Sequence, residues 1–154
     1  MTHVPLKELP EFARNVRATL KLLPPKGRAT VVHLRGDLGA GKTTFVQAIA
    51  KDFGIEGTIQ SPTYVLMKSY KILEPRTTFG EHRRFSTLVH IDAYRLESPE
   101  EFAALRPEEF LADPQTVVFI EWPERLGAAA PEPDVILNFS SQDAGEGERY
   151  IEVV

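Results

Sequence analysis

The 154-residue chain contains no cysteine. That excludes disulfides, thiol nucleophiles and thiolate metal sites. Long apolar runs are also missing, and the opening Met1-Thr-His-Val-Pro-Leu-Lys-Glu-Leu-Pro10 has no basic segment leading into a hydrophobic one. No secretory signal or membrane span is expected, and the cytoplasm is the expected compartment. Positive charge is in short supply: 18 Lys and Arg stand against 22 Asp and Glu, for a formal charge of −4. This argues against a broad basic face that grips nucleic acid, although a local basic patch is compatible with the total. Internal repeats and low-complexity linkers are absent, and the length suits a single domain over residues 1–154.

What is present is concentrated in one segment. Residues 36 to 43 read Gly-Asp-Leu-Gly-Ala-Gly-Lys-Thr, a full match to the phosphate-binding pattern G-x-x-x-x-G-K-[ST]. Glycines let the backbone bend around a phosphate with its N–H groups inward. Lys42 supplies a point charge to the β- and γ-phosphates, facing solvent and not the core, and Thr43 offers a hydroxyl to Mg²⁺. The cradle expected to hold nucleotide runs through Asp37, Leu38, Gly39, Ala40, Gly41, Lys42, Thr43 and Thr44. Its context fits. Ala29 to Leu34 is an apolar, β-branched strand, and Thr44 to Phe53 a helix with the stripe Phe45, Ile49 and Phe53 and Gly54 just past its end.

The remaining pattern predicts a helix over Pro10–Leu23 and strands over Tyr64–Ile72, Thr87–Asp92 and Thr116–Ile120. Ser98-Pro-Glu-Glu101 predicts a capping box opening a helix with Phe102 and Leu105, and a short turn follows over Pro107–Leu111. Val135–Phe139 and Tyr150–Val154 predict an antiparallel hairpin. The polar stretch 73–86, with Arg76, His82, Arg83 and Arg84, reads as a surface loop, either simply solvated or a contact for a partner. The expected fold is α/β of the P-loop kind: a parallel sheet flanked by antiparallel strands and covered by helices.

Three further residues are candidates for the site. Asp92 ends an apolar strand, so it either holds Mg²⁺ or caps a turn. Glu121 ends the next one; its expected role is to orient or deprotonate water, or to bind Mg²⁺ directly or through water. The alternative for Glu121 is a surface carboxylate beside Pro123. Thr63, in Ser61-Pro-Thr-Tyr64, either senses the γ-phosphate or simply starts a strand. His33 and His90 read as packed, hydrogen-bonded core residues, and Trp122 as packing first and recognition second.

Four blocks together carry a family likeness: the phosphate loop through Thr44, Ser61-Pro-Thr-Tyr64, His90-Ile-Asp-Ala-Tyr-Arg-Leu96 and Glu121-Trp-Pro-Glu124. In this order they resemble the bacterial TsaE (YjeE) family. The resemblance implies an Mg²⁺-dependent ATPase serving threonylcarbamoyladenosine synthesis on tRNA. It implies the TsaB–TsaD pair as partner and contact with tRNA only through that complex. By the same likeness Lys42 and Thr43 bind phosphate and Mg²⁺, Asp92 is the metal-side acid, Thr63 belongs to a switch segment and Glu121 is needed for hydrolysis. Two rivals stay open: a small-molecule or nucleotide kinase, and an ATP-gated binding module with incidental hydrolysis. GTP is less expected than ATP, because no Asn-Lys-x-Asp block occurs.

Overall fold

The computed structural model describes residues 2–57, 66–73, 84–141 and 144–154. The segment around Thr63, with the rest of Ser61-Pro-Thr-Tyr64, and Arg76, His82 and Arg83 lie outside the described residues.

Seven strands form one sheet: β1 (Thr2–Pro5), β2 (Thr30–Gly36), β3 (Met67–Lys71), β4 (Thr87–Asp92), β5 (Thr116–Glu121), β6 (Val135–Ser140) and β7 (Glu148–Val153). Their spatial order is β1-β7-β6-β2-β5-β4-β3. The middle strands β6, β2, β5 and β4 run parallel, while β3, β7 and β1 join antiparallel at the two sides. The expected α/β architecture is what the chain adopts. β2 and β5 read as continuous apolar runs because both faces of the sheet are covered, and all of β5 is buried.

Alternation along these strands divides the core in two. Val32, Leu34, Val117 and Phe119 point to one face, against helices α1 (Leu9–Leu22) and α2 (Lys42–Asp52). Val31, Val118 and Ile120 point to the other, which is covered by α3 (Pro99–Ala103), α4 (Pro107–Leu111) and the 3₁₀ segment Pro123–Ala129. α1 buries Leu9, Ala13, Val16 and Leu20, the helical spacing that lets it lie on α2. Phe45 of α2 is fully buried, with its ring 5.7 to 6.3 Å from those of Phe12, Phe119 and Phe139.

Three local differences from the sequence reading have physical causes. The capping box does not close: Ser98 makes no side-chain cap, and Glu101 instead accepts from the Glu97 N–H at 3.1 Å. Arg84 is not a freely solvated loop charge; its guanidinium donates to the carbonyls of Lys21 (2.8 Å) and Leu23, capping the end of α1. β1, unforeseen, is a short strand with a proline, and pairing with β7 holds it.

Candidate functional site

The site grows from the turn that joins β2 to α2. Gly36 ends β2 at φ 129°, and a β-carbon there would collide with the Phe139 carbonyl of the neighbouring β6. Only glycine fits a strand end so close to its partner's backbone. Gly41, at φ 96°, is the N-cap of α2, and its missing side chain leaves room for the guanidinium of Arg149.

Lys42 is 4% exposed, which corrects the expectation of a solvent-facing charge. Its Nζ donates to the carbonyls of Gly36 (2.5 Å) and Asp37 (2.7 Å) and stands 4.2 Å from the centre of the Trp122 ring. The ammonium thus closes the loop on itself. Burial lowers its pKa, against the opposing pull of the Glu121, Glu124, Asp92 and Asp37 carboxylates.

Glu121, at the end of β5, is 3% exposed and not the surface carboxylate of the bland alternative. Its Oε1 accepts from Thr43 Oγ1 and from His90 Nε2, each at 2.8 Å, and its Oε2 lies 3.1 Å from the same hydroxyl. A carboxylate only accepts, so the His90 proton sits on Nε2; Nδ1 is buried without a partner among the described residues. His90 is therefore the packed, hydrogen-bonded histidine its sequence position suggested. His33 is packed but lacks such a bond. Burial lowers its pKa; the Pro131 carbonyl opposes that from outside hydrogen-bond geometry.

Asp92 stands beside Glu121 in the β4–β5 register. Its Oδ1 accepts the Tyr94 N–H at 3.1 Å, so it does cap a turn while facing the cleft. Burial raises its carboxyl above the ordinary range. The Tyr94 N–H opposes this, the Glu121 charge adds to it, and His90 and Lys42 oppose it.

Lys42, Thr43, Asp92 and Glu121 line a cleft of about 220 Å³ with Leu38, Gly39, Gly41, Thr44, Tyr94 and Trp122. Asp37 and Ala40 do not line it. They make the loop's own turn, with the Ala40 N–H on the Asp37 carbonyl at 3.2 Å.

Two aromatic residues wall the cleft: Trp122, read from the sequence as packing first and recognition second, and Tyr94, which escaped that reading. Trp122 has the left-handed φ of 57°, rare for a bulky residue, with its N–H on the Leu34 carbonyl at 3.2 Å. Its ring packs 5.0 Å from Tyr94. Arg149 also escaped the sequence reading. A charge at an inward position of an alternating strand was the clue there.

Strand, glycine loop and helix on a parallel sheet, with an acid at the end of the neighbouring strand, define a P-loop nucleotide-binding fold. The sequence profile of "Threonylcarbamoyl adenosine biosynthesis protein TsaE" matches residues 6–151, and the chain belongs to the TsaE family. The tRNA threonylcarbamoyladenosine biosynthesis protein TsaE of Haemophilus influenzae is 33% identical over 75% of this chain and 66% of its own length. Its namesake in Rickettsia bellii is 38% identical over 89% of this chain and 83% of that protein. The crystal structure of Bacillus subtilis YdiB superposes with a TM-score of 0.62 at 26% identity, covering 97% of this chain and 80% of that one. Among the described residues, no helix is long and apolar enough to cross a membrane.

Proposed function

We propose that this cleft binds ATP with Mg²⁺ and hydrolyses it. In this reading the chain is the nucleotide-driven component of tRNA threonylcarbamoyladenosine synthesis, working with the TsaB–TsaD pair and meeting tRNA only through that complex. The observation that carries the proposal is the convergence of Lys42, Thr43, Asp92 and Glu121 on one cleft at the carboxyl edge of parallel strands.

The donor set suits Mg²⁺. Asp92 and Thr43 offer hard oxygen atoms, and an Asp92 carboxyl held high by burial and by Glu121 is one that a cation would favour deprotonated. Thr43 gives its single proton to Glu121, so its lone pairs stay available. Among the described residues no group of three or more His, Asp or Glu surrounds a metal position, so phosphate oxygens and water would complete the shell. When bound, Mg²⁺ neutralises charge on the phosphates.

The protein's own residues do the rest. Lys42 exchanges the Gly36 and Asp37 carbonyls for phosphate oxygens, and the first N–H groups of α2 point at the same anion. Glu121 is fixed by Thr43 and His90, which leaves its Oε2, with only the longer contact, to orient or deprotonate water. Thr63 is proposed as the γ-phosphate sensor. Thin-layer separation of γ-labelled ATP products, with and without TsaB–TsaD, tests this. Free phosphate supports the ATPase, and label on an acceptor supports the kinase rival.

A further inference from the structure

His90 is fully buried on β4 and is not among the residues that line the cleft. A polar ring in such a place needs a partner for each nitrogen. His90 has one such bond: its Nε2–H donates to Glu121 Oε1 at 2.8 Å, whereas Nδ1 is buried without a partner among the described residues. An apolar side chain would fill this position and leave no nitrogen unsatisfied. What the histidine adds over an apolar residue is therefore its single bond to Glu121.

The strand register explains the reach. Asp92 stands opposite Glu121 and His90 opposite Phe119, so the ring lies one pleat below the carboxylate on the same face of the sheet. Glu121 Oε1 is then held from two sides, by Thr43 of α2 and by His90 within the sheet. The two holders differ in kind. Thr43 lines the cleft, and its hydroxyl is shared with whatever the phosphate loop binds. His90 is sealed away from that ligand. We infer that His90 is a positioning residue for hydrolysis: it fixes the Glu121 carboxylate with Oε2 turned to the water, and it does so with or without nucleotide in the cleft. Because it touches neither nucleotide nor metal position, it acts on turnover and not on binding. This assignment rests on reading Glu121 as the group that orients or deprotonates water in an ATPase.

The test measures kcat and KM for phosphate release from ATP by the full chain with TsaB–TsaD, alongside thermal unfolding of each protein. The variants are His90→Gln, His90→Asn and His90→Met, and His90→Met combined with Glu121→Gln. The glutamine amide nitrogen lies about as far along the side chain as Nε2 and keeps an N–H on Oε1; that of asparagine stops at the distance of Nδ1, and methionine has no donor. His90→Asn and His90→Met should lower kcat by about tenfold or more with KM within about twofold of wild type, because only the aim of the carboxylate is lost. His90→Gln should stay within about threefold of wild type in both constants. In the Glu121→Gln background, His90→Met should change kcat by less than about twofold, since the histidine acts through the carboxylate that is gone. Equal kcat in His90→Gln and His90→Asn, losses that merely follow the unfolding midpoints, a raised KM with unchanged kcat, or a full further loss in the Glu121→Gln background would overturn the assignment while leaving the ATPase intact. Should His90→Met fail to fold, the glutamine and asparagine pair decides alone. No phosphate release from wild type, or wild-type turnover in Glu121→Gln, would instead overturn the reading of the site, and His90 with it.

Discussion

Replacing Glu121 with glutamine separates catalysis from architecture. In the native site Oε1 takes two 2.8 Å bonds, from Thr43 and His90, and Oε2 takes only a 3.1 Å contact. A glutamine carbonyl at the Oε1 position keeps both short bonds, but they become neutral. A charge-assisted bond contributes about 1.5–3 kcal/mol and a neutral one about 0.5–1.5, so the loss should be about 2 kcal/mol. Alanine is a harsher change. It strands the Thr43 hydroxyl and the His90 Nε2–H in a nearly sealed pocket, at about 1–3 kcal/mol each, and leaves a cavity besides, about 4 kcal/mol in all. Denaturant unfolding should therefore rank wild type above Glu121→Gln above Glu121→Ala. Phosphate release by the glutamine variant should fall by about 10²-fold or more, because the amide cannot take a proton, while ATP binding stays near normal. Wild-type turnover in Glu121→Gln with partners present would refute the argument and pass the role to another group.

Lys42→Met should lower ATP affinity by on the order of 10²-fold while changing ligand-free stability by less than about 2 kcal/mol, because two lost bonds to loop carbonyls are offset by relief of a buried charge. Since burial lowers the Lys42 pKa below 10.5, wild-type stability should gain on the variant as pH rises toward that value; parallel stability curves would contradict this. Asp92→Asn should abolish the Mg²⁺ dependence of ATP binding. With its carboxyl raised above 3.8, wild-type Mg²⁺ affinity should weaken as pH falls into the window just above that value, and a magnesium titration at several pH values reads this directly. Burial would raise the Asp134 carboxyl, but bonds from Arg28, Lys26 and the Val31 N–H hold it below the ordinary value. Its stabilisation is fully present above 3.8 and lost as pH falls through the depressed value, so Asp134→Ala should cost about 2 kcal/mol at neutral pH and flatten the acid limb of the unfolding curve.

Much of this geometry was legible because it depends on local rules. A loop whose glycines sit at positive φ announces itself by composition, and strands covered on both faces read as apolar runs wherever they lie in the chain. Asp92 and Glu121 were found together because each ends such a run, and parallel pairing puts them side by side. What escaped depends on distant chain segments meeting. Nothing local to Trp122 says that its ring will lie over Lys42, and nothing near Arg149 says that β7 will bring it to Gly41. Burial of Lys42 was missed for the same reason, since a loop lysine is exposed until Trp122 and the loop's own carbonyls enclose it. The failed capping box shows a local rule losing to a local competitor: Glu101 found the Glu97 N–H first.

The central claim is that this cleft takes Mg·ATP and releases free phosphate. Its most direct test is one titration of the purified chain with Mg·ATP, followed by labelled-phosphate release, in wild type and Lys42→Met, with and without TsaB–TsaD. The account predicts saturable binding and free phosphate from wild type, both lost in the lysine variant. Equal binding by the two proteins, or label carried to an acceptor instead of water, would contradict it.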